Sequence, residues 1–107
     1  NMAKYKLTEL ASVIRSKNSG PYELTFDVIF KDFETFYKVK EAQAINKQNF
    51  CEIYGIPESD IFHLVYFDPA KAVKVTIRRP IASGALGETD VYGAQQHAPL
   101  MALEIEF

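Results

Sequence analysis

Two stretches of this 107-residue chain concentrate side chains able to do chemistry. The first runs Arg15-Ser16-Lys17-Asn18-Ser19-Gly20-Pro21-Tyr22-Glu23. Its Ser- and Gly-rich backbone, with two cations alongside, suits a carboxylate or phosphate held by N–H groups and positive charge. The ligand-binding candidates there are Arg15, Ser16, Lys17, Asn18, Ser19, Gly20 and Glu23. The stretch lacks the Gly-x-x-x-x-Gly-Lys-Ser/Thr spacing of a phosphate-binding loop, and a solvated turn ahead of a strand has the same composition.

The second stretch, Thr89 to His97, lies inside the twenty residues Pro80 to Pro99, which show neither helical nor strand periodicity. A connection that long in a compact domain is uncommon unless it is functional or disordered. Ile81, Leu86, Val91 and Tyr92 argue for an ordered loop. Asp90 and His97 are candidates for an acid–base pair, and Tyr92 for a donor to a carbonyl. Thr89, Gln95 and Gln96 join the ligand-binding candidates. The plainer alternative is a loop whose polar groups satisfy one another and the backbone. A bound organic anion would draw the two stretches into one site, Arg15 and Lys17 supplying charge and the loop supplying hydrogen bonds.

Other reactive residue types offer less. His63 sits in an apolar run and reads as a hydrogen-bonded core residue. Cys51 has no His or cation beside it in sequence to activate its thiol. Two His, one Cys and scattered carboxylates show no metal-ligand spacing, so no metal and no cofactor is expected.

Elements must position these groups. Tyr22 to Phe30 alternates, with Tyr22, Leu24, Phe26, Val28 and Phe30 on one face, as a half-buried strand does. Asp32 caps a helix through about Gln43, with Phe33, Phe36 and Tyr37 turned inward. Asn46 caps a second helix, stapled by Ile45 and Phe50 and ended by Gly55 before Pro57. Ile61 to Phe67 reads as a central strand covered on both faces. Ala72 to Arg79 alternates with Val73, Val75 and Ile77 inward, and Leu100 to Phe107 alternates again. The start reads as a short strand and one helical turn capped by Thr8, and Arg15 to Pro21 as a loop. The order implies a single α+β domain over residues 2–107. Its expected form is a mainly antiparallel sheet with helices on one face, a ferredoxin-like (split βαβ) variant. Outward residues of three strands, Asp27 and Glu23, Lys74 and Arg78, and Glu104 and Glu106, carry opposite charges placed to pair across the sheet.

Composition sets the class. Apolar residues make up 48% and charged residues 24%, with a net charge of −2, so neither nucleic acid nor an anionic membrane surface is expected as partner. One Cys, with no signal peptide and no long apolar run, points to a cytoplasmic protein. Asn1 ahead of Met2 reads as a tag remnant. Eight Phe and six Tyr in so short a chain suggest surplus apolar surface of the kind a homo-oligomer buries.

Three segments carry a family resemblance. They are Val13 to Asp27, Tyr66-Phe67-Asp68-Pro69-Ala70, and Thr89 to Leu100. Together they resemble the pattern of a small domain-of-unknown-function family of similar length, found beside or fused to proteins like the acyclic terpene utilisation protein A. The resemblance implies an accessory subunit or small-molecule-binding module serving a larger catabolic protein that handles organic acids or acyl-coenzyme A compounds. The alternative is a freestanding lyase, hydratase or isomerase acting on a carboxylic acid, with Asp90, His97 and Arg15 at its centre.

Overall fold

The alternation across residues 23–30 builds the strand on which the rest is assembled. In the computed structural model, which describes residues 2–79 and 97–107, β3 (Glu23–Phe30) buries Leu24, Phe26, Val28 and Phe30 on one face. β2 (Ala11–Gly20) pairs antiparallel on one side of it and β5 (Ala72–Arg78) on the other, with β4 (Ile61–Phe67) beyond β5. The order across the sheet is β2-β3-β5-β4. β3 and β4 are each antiparallel to β5, hence parallel to one another. The chain between them forms α2 (Phe33–Ala42) and α3 (Lys47–Tyr54), which pack on the buried face.

A second, two-stranded sheet joins the ends of the described chain. β1 (Lys4–Lys6) pairs antiparallel with β6 (Glu104–Glu106), and the backbones of Ala3 and Phe107 exchange hydrogen bonds of 3.1 and 3.2 Å beyond them. Single helical turns, α1 (Leu7–Leu10) and α4 (Ala98–Met101), connect this ribbon to the body and place Leu7 and Leu100 in the core. The expected α+β class, with antiparallel sheets and helices, holds.

Local signals explain the helices. The Asp32 carboxylate accepts the Thr35 N–H at 2.7 Å. That bond, followed by the one from the Thr35 hydroxyl, holds Asp32 below its usual value. α3 starts on a reciprocal cap in which Asn46 and Asn49 side chains accept each other's N–H groups at 2.9 and 3.0 Å. Ile45 and Phe50, the staple pair, are both fully buried. Gly55 ends the helix at φ +64°, where a side chain would be strained.

The core is aromatic. Phe26 of β3 meets Phe50 edge-on at 5.1 Å and Tyr54 at 5.0 Å, and those two rings stack at 4.7 Å. At the other end Lys40 of α2 reaches both Asp68 oxygens, at 2.8 and 3.0 Å. Tyr66 of β4 locks the entry to α3: its hydroxyl donates to the Ile45 carbonyl at 2.7 Å and accepts the Ile45 N–H at 3.1 Å. Burial pushes this phenol from 10.0 up to about 12. Tyr66→Phe leaves the Ile45 backbone unpaired and should cost about 1–3 kcal/mol. The raised value fixes the sign of the pH effect. The phenol's contribution is whole below pH 10 and lost as pH rises from 10 towards 12. Urea unfolding of both proteins should therefore show their difference shrinking across that window, and a constant difference would contradict it.

Several expectations are corrected. Arg15 to Pro21 is not a loop: residues up to Gly20 belong to β2, and the turn shrinks to Pro21 and Tyr22, with Tyr22 exposed at the hairpin tip. Polar residues suit a strand when its partner supplies the ladder, because strand preference depends on context. β4 lies at the sheet edge rather than its centre, and His63 is exposed rather than in the core. On α2 the inward residues are Phe36 and Val39, while Phe33 and Tyr37 are exposed. Lys6 is the N-cap of α1 and its N–H is accepted by the Glu9 carboxylate at 2.8 Å, so Thr8 is not the cap. Residues 100–107 hold a helical turn and only three strand residues, which pair with β1 and leave Met101 exposed. Most of the long connection, residues 80–96, lies outside the described residues.

Candidate functional site

Once Ala11–Gly20 is a strand, its alternation separates the candidate residues of the first stretch. Ser16 stands opposite Phe26 and Asn18 opposite Leu24, on the face that carries the core. Arg15 stands opposite Asp27 and Lys17 opposite Thr25, on the face away from the helices. Arg15 Nε donates to Asp27 Oδ2 at 3.1 Å, and Lys74 Nζ, from the other neighbouring strand, donates to Asp27 Oδ1 at 3.3 Å. Asp27 is only 3% exposed although no helix covers it. The stems of its two cations provide the cover.

The row beside it is made of hydroxyls. Thr25 Oγ1 donates to Ser19 Oγ at 2.8 Å and lies 3.2 Å from Thr76 Oγ1. Gly20 and Glu23 close the hairpin as a register pair. Glu23 also stands opposite Arg78, but Arg78 Nε donates to Asp60 Oδ1 at 3.3 Å. The expected Lys74 pairing with Asp27 is thus present, Arg78 takes a different partner, and Glu104 and Glu106 lie in the separate β1–β6 sheet, away from these cations' strands.

The two stretches meet through Ser16. Its Oγ lies 3.4 Å from His97 Nδ1, joining β2 to the residue ahead of α4. That is longer than the about 2.6–3.2 Å of a pair set for proton transfer. The convergence reaches Ser16 and leaves Arg15 and Lys17 on the opposite face. Thr89, Asp90, Tyr92, Gln95 and Gln96 lie outside the described residues.

A family model, Domain of unknown function (DUF4387), matches residues 7–104. The chain belongs to this family. Neither the curated proteins nor the solved structures contain a match to it. The matched span of the DUF4387 domain covers the whole four-stranded sheet, the Arg15–Asp27–Lys74 cluster and the Ser16–His97 contact.

The chemistry open to this DUF4387 domain is narrowed by its reactive groups. Burial, and then the carboxylates of Glu58 and Asp60, push the Cys51 thiol up, the reverse of what a nucleophilic thiolate needs. Among the described residues no group of three or more His, Cys, Asp or Glu is placed to hold a metal ion. None of their helices is long and apolar enough to cross a membrane.

Two features of the domain went unread in the sequence. One is a cleft of about 630 Å³ between the β1–β6 ribbon and α2, lined by Met2, Tyr5, Glu34, Tyr37, Lys38 and Phe107 among others. It is invisible in sequence because its walls come from both ends of the described chain. The other is the outward face of the sheet, where Val13, Phe62, Val65 and Phe67 stay exposed. A signal for that face existed: β4 and β5 place aromatics and cations at alternate positions.

Proposed function

We propose that this DUF4387 domain is an accessory module of a larger catabolic protein, one that resembles the acyclic terpene utilisation protein A and handles organic acids or acyl-coenzyme A compounds. The observation that carries this reading is the commitment of Arg15. The cation best placed to hold a free carboxylate is already bonded to the protein's own buried Asp27. It braces the sheet, and the exposed apolar residues beside it leave a face suited to another protein. The Ser16–His97 contact favours a second reading, a small lyase, hydratase or isomerase with His97 at its centre, because it joins the two stretches richest in polar groups.

Mixing the purified chain with a protein that resembles the acyclic terpene utilisation protein A tests the first reading. Size-exclusion chromatography with light scattering should give one species of summed mass. Without that protein, the chain should self-associate across a tenfold dilution series through apolar residues exposed elsewhere, such as Phe33 and Met101. Separate elution at tens of micromolar, with a monomeric small chain, would count against the accessory role.

A further inference from the structure

The outward face of the four-stranded sheet is built differently from the rest of the surface. Four cations rise from the two strands that flank β3: Arg15 and Lys17 from β2, Lys74 and Arg78 from β5. Facing them on the same side are Glu23 and the buried Asp27, with Asp60 at the margin. The chain as a whole carries −2. Four cations against three carboxylates leave this face net positive in a chain that is net negative.

The cations keep donors to spare. Arg15 offers five N–H groups and Lys74 three. One contact of each goes to Asp27, while their side chains remain 58% and 44% exposed. The buried carboxylate fixes where the two heads sit without occupying all their donors.

Apolar groups lie between the charges. Lys74 stands over the Phe67 ring at 5.8 Å and Arg78 over the Phe62 ring at 5.4 Å. Val65, opposite Lys74, is 49% exposed. The β4 register shift between Ile61 and His63 adds a residue that turns both Phe62 and His63 outward. Bulges commonly re-aim side chains in this way. Arginine and aromatic residues around an apolar centre are the composition enriched at protein–protein contacts.

We infer that this face docks an acidic protein surface, one presenting carboxylates around an apolar patch on the larger partner. This rests on the accessory-module reading above. Charge complementarity selects the occupant. A second copy docked face to face would set like charges together. Single-stranded RNA needs free ring faces and a basic protein, whereas these rings lie under cations and the chain is acidic.

The test immobilises a protein that resembles the acyclic terpene utilisation protein A and follows binding of four proteins by interferometry: wild type, Lys17→Glu, Val65→Asp and Tyr37→Ala. Lys17 makes no side-chain hydrogen bond among the described residues, and melting curves check that each variant folds. Lys17→Glu and Val65→Asp should each weaken binding about tenfold or more, equivalent to about 1.4 kcal/mol. Tyr37→Ala, altered in the cleft beside α2, should bind as wild type. Raising salt from about 0.05 to 0.5 M should slow association of wild type more than that of Lys17→Glu. Wild-type binding that ignores both face variants yet is lost in Tyr37→Ala would overturn this inference and leave the accessory role standing. No wild-type binding would overturn both. Binding to a single-stranded RNA oligonucleotide that Lys17→Glu abolishes, while protein binding survives in both face variants, would assign the face to nucleic acid and overturn the inference.

Discussion

The double substitution Arg15→Met/Lys74→Met is expected to destabilise the fold by about 3–5 kcal/mol, the cost of leaving a buried charge uncompensated. Methionine keeps the apolar stems that cover Asp27 and removes only the cations. Either single change should cost much less, because the other cation still reaches the carboxylate, at 3.1 or 3.3 Å. The pair should therefore be strongly non-additive. Arg15→Ala/Lys74→Ala offers the contrast. It uncovers Asp27 to water, so it should cost less than the methionine pair although it removes more atoms. Adding Asp27→Leu to the methionine pair should recover most of the loss, since no charge then remains to bury. Urea unfolding of the set measures each value. A methionine pair no worse than the sum of its singles would mean that Asp27 is already effectively solvated.

Phe26→Ala should be as damaging, at about 3–5 kcal/mol. The ring is fully buried on the strand between β2 and β5, and it touches both Phe50 and Tyr54 of α3. Its removal takes away the contact that fastens the helix to the sheet, and the neighbouring rings are held by their own stacking at 4.7 Å, so collapse into the gap is limited. At about 4–8 °C per kcal/mol for a domain of this size, the melting temperature should fall by roughly 12 °C or more. Phe26→Leu should fall by about half as much. A drop of only a degree or two for Phe26→Ala would mean that the cluster repacks.

Features set within a few residues were legible in the sequence. The Asn46 cap, the Ile45 and Phe50 staple and the Gly55 stop all depend on neighbours at most five residues away. The alternation of β3 and β5 was legible too, because one buried face imposes a period of two. What escaped was set by distant partners. Arg-Ser-Lys-Asn-Ser carries no strand signal, and it becomes one because β3 offers an unpaired ladder beside it. Ile61 to Phe67 shows as an apolar run whether both its sides are covered or one. Its edge position depends on the far strands. The site followed the same rule. Ser16 lies beside His97, while the loop groups expected to share a site with Arg15 fall outside the described residues. The assignment of Arg15 to the opposite face required the parity of a strand the composition did not reveal.

The β1–β6 ribbon also orders the folding reaction. The β2–β3 and β4–β5 hairpins bring partners together across two and four residues, Pro21–Tyr22 and Asp68–Lys71. Lys4 and Glu106 must find each other across nearly the whole described chain. Loop closure of that span carries an entropy cost that neighbouring contacts cannot repay until the sheet and helices have condensed. The ribbon is consequently the last element to form and the first to open. Its three residue pairs work as a clasp whose opening frees both ends at once, while β3, paired on both sides, stays protected until the whole molecule unfolds.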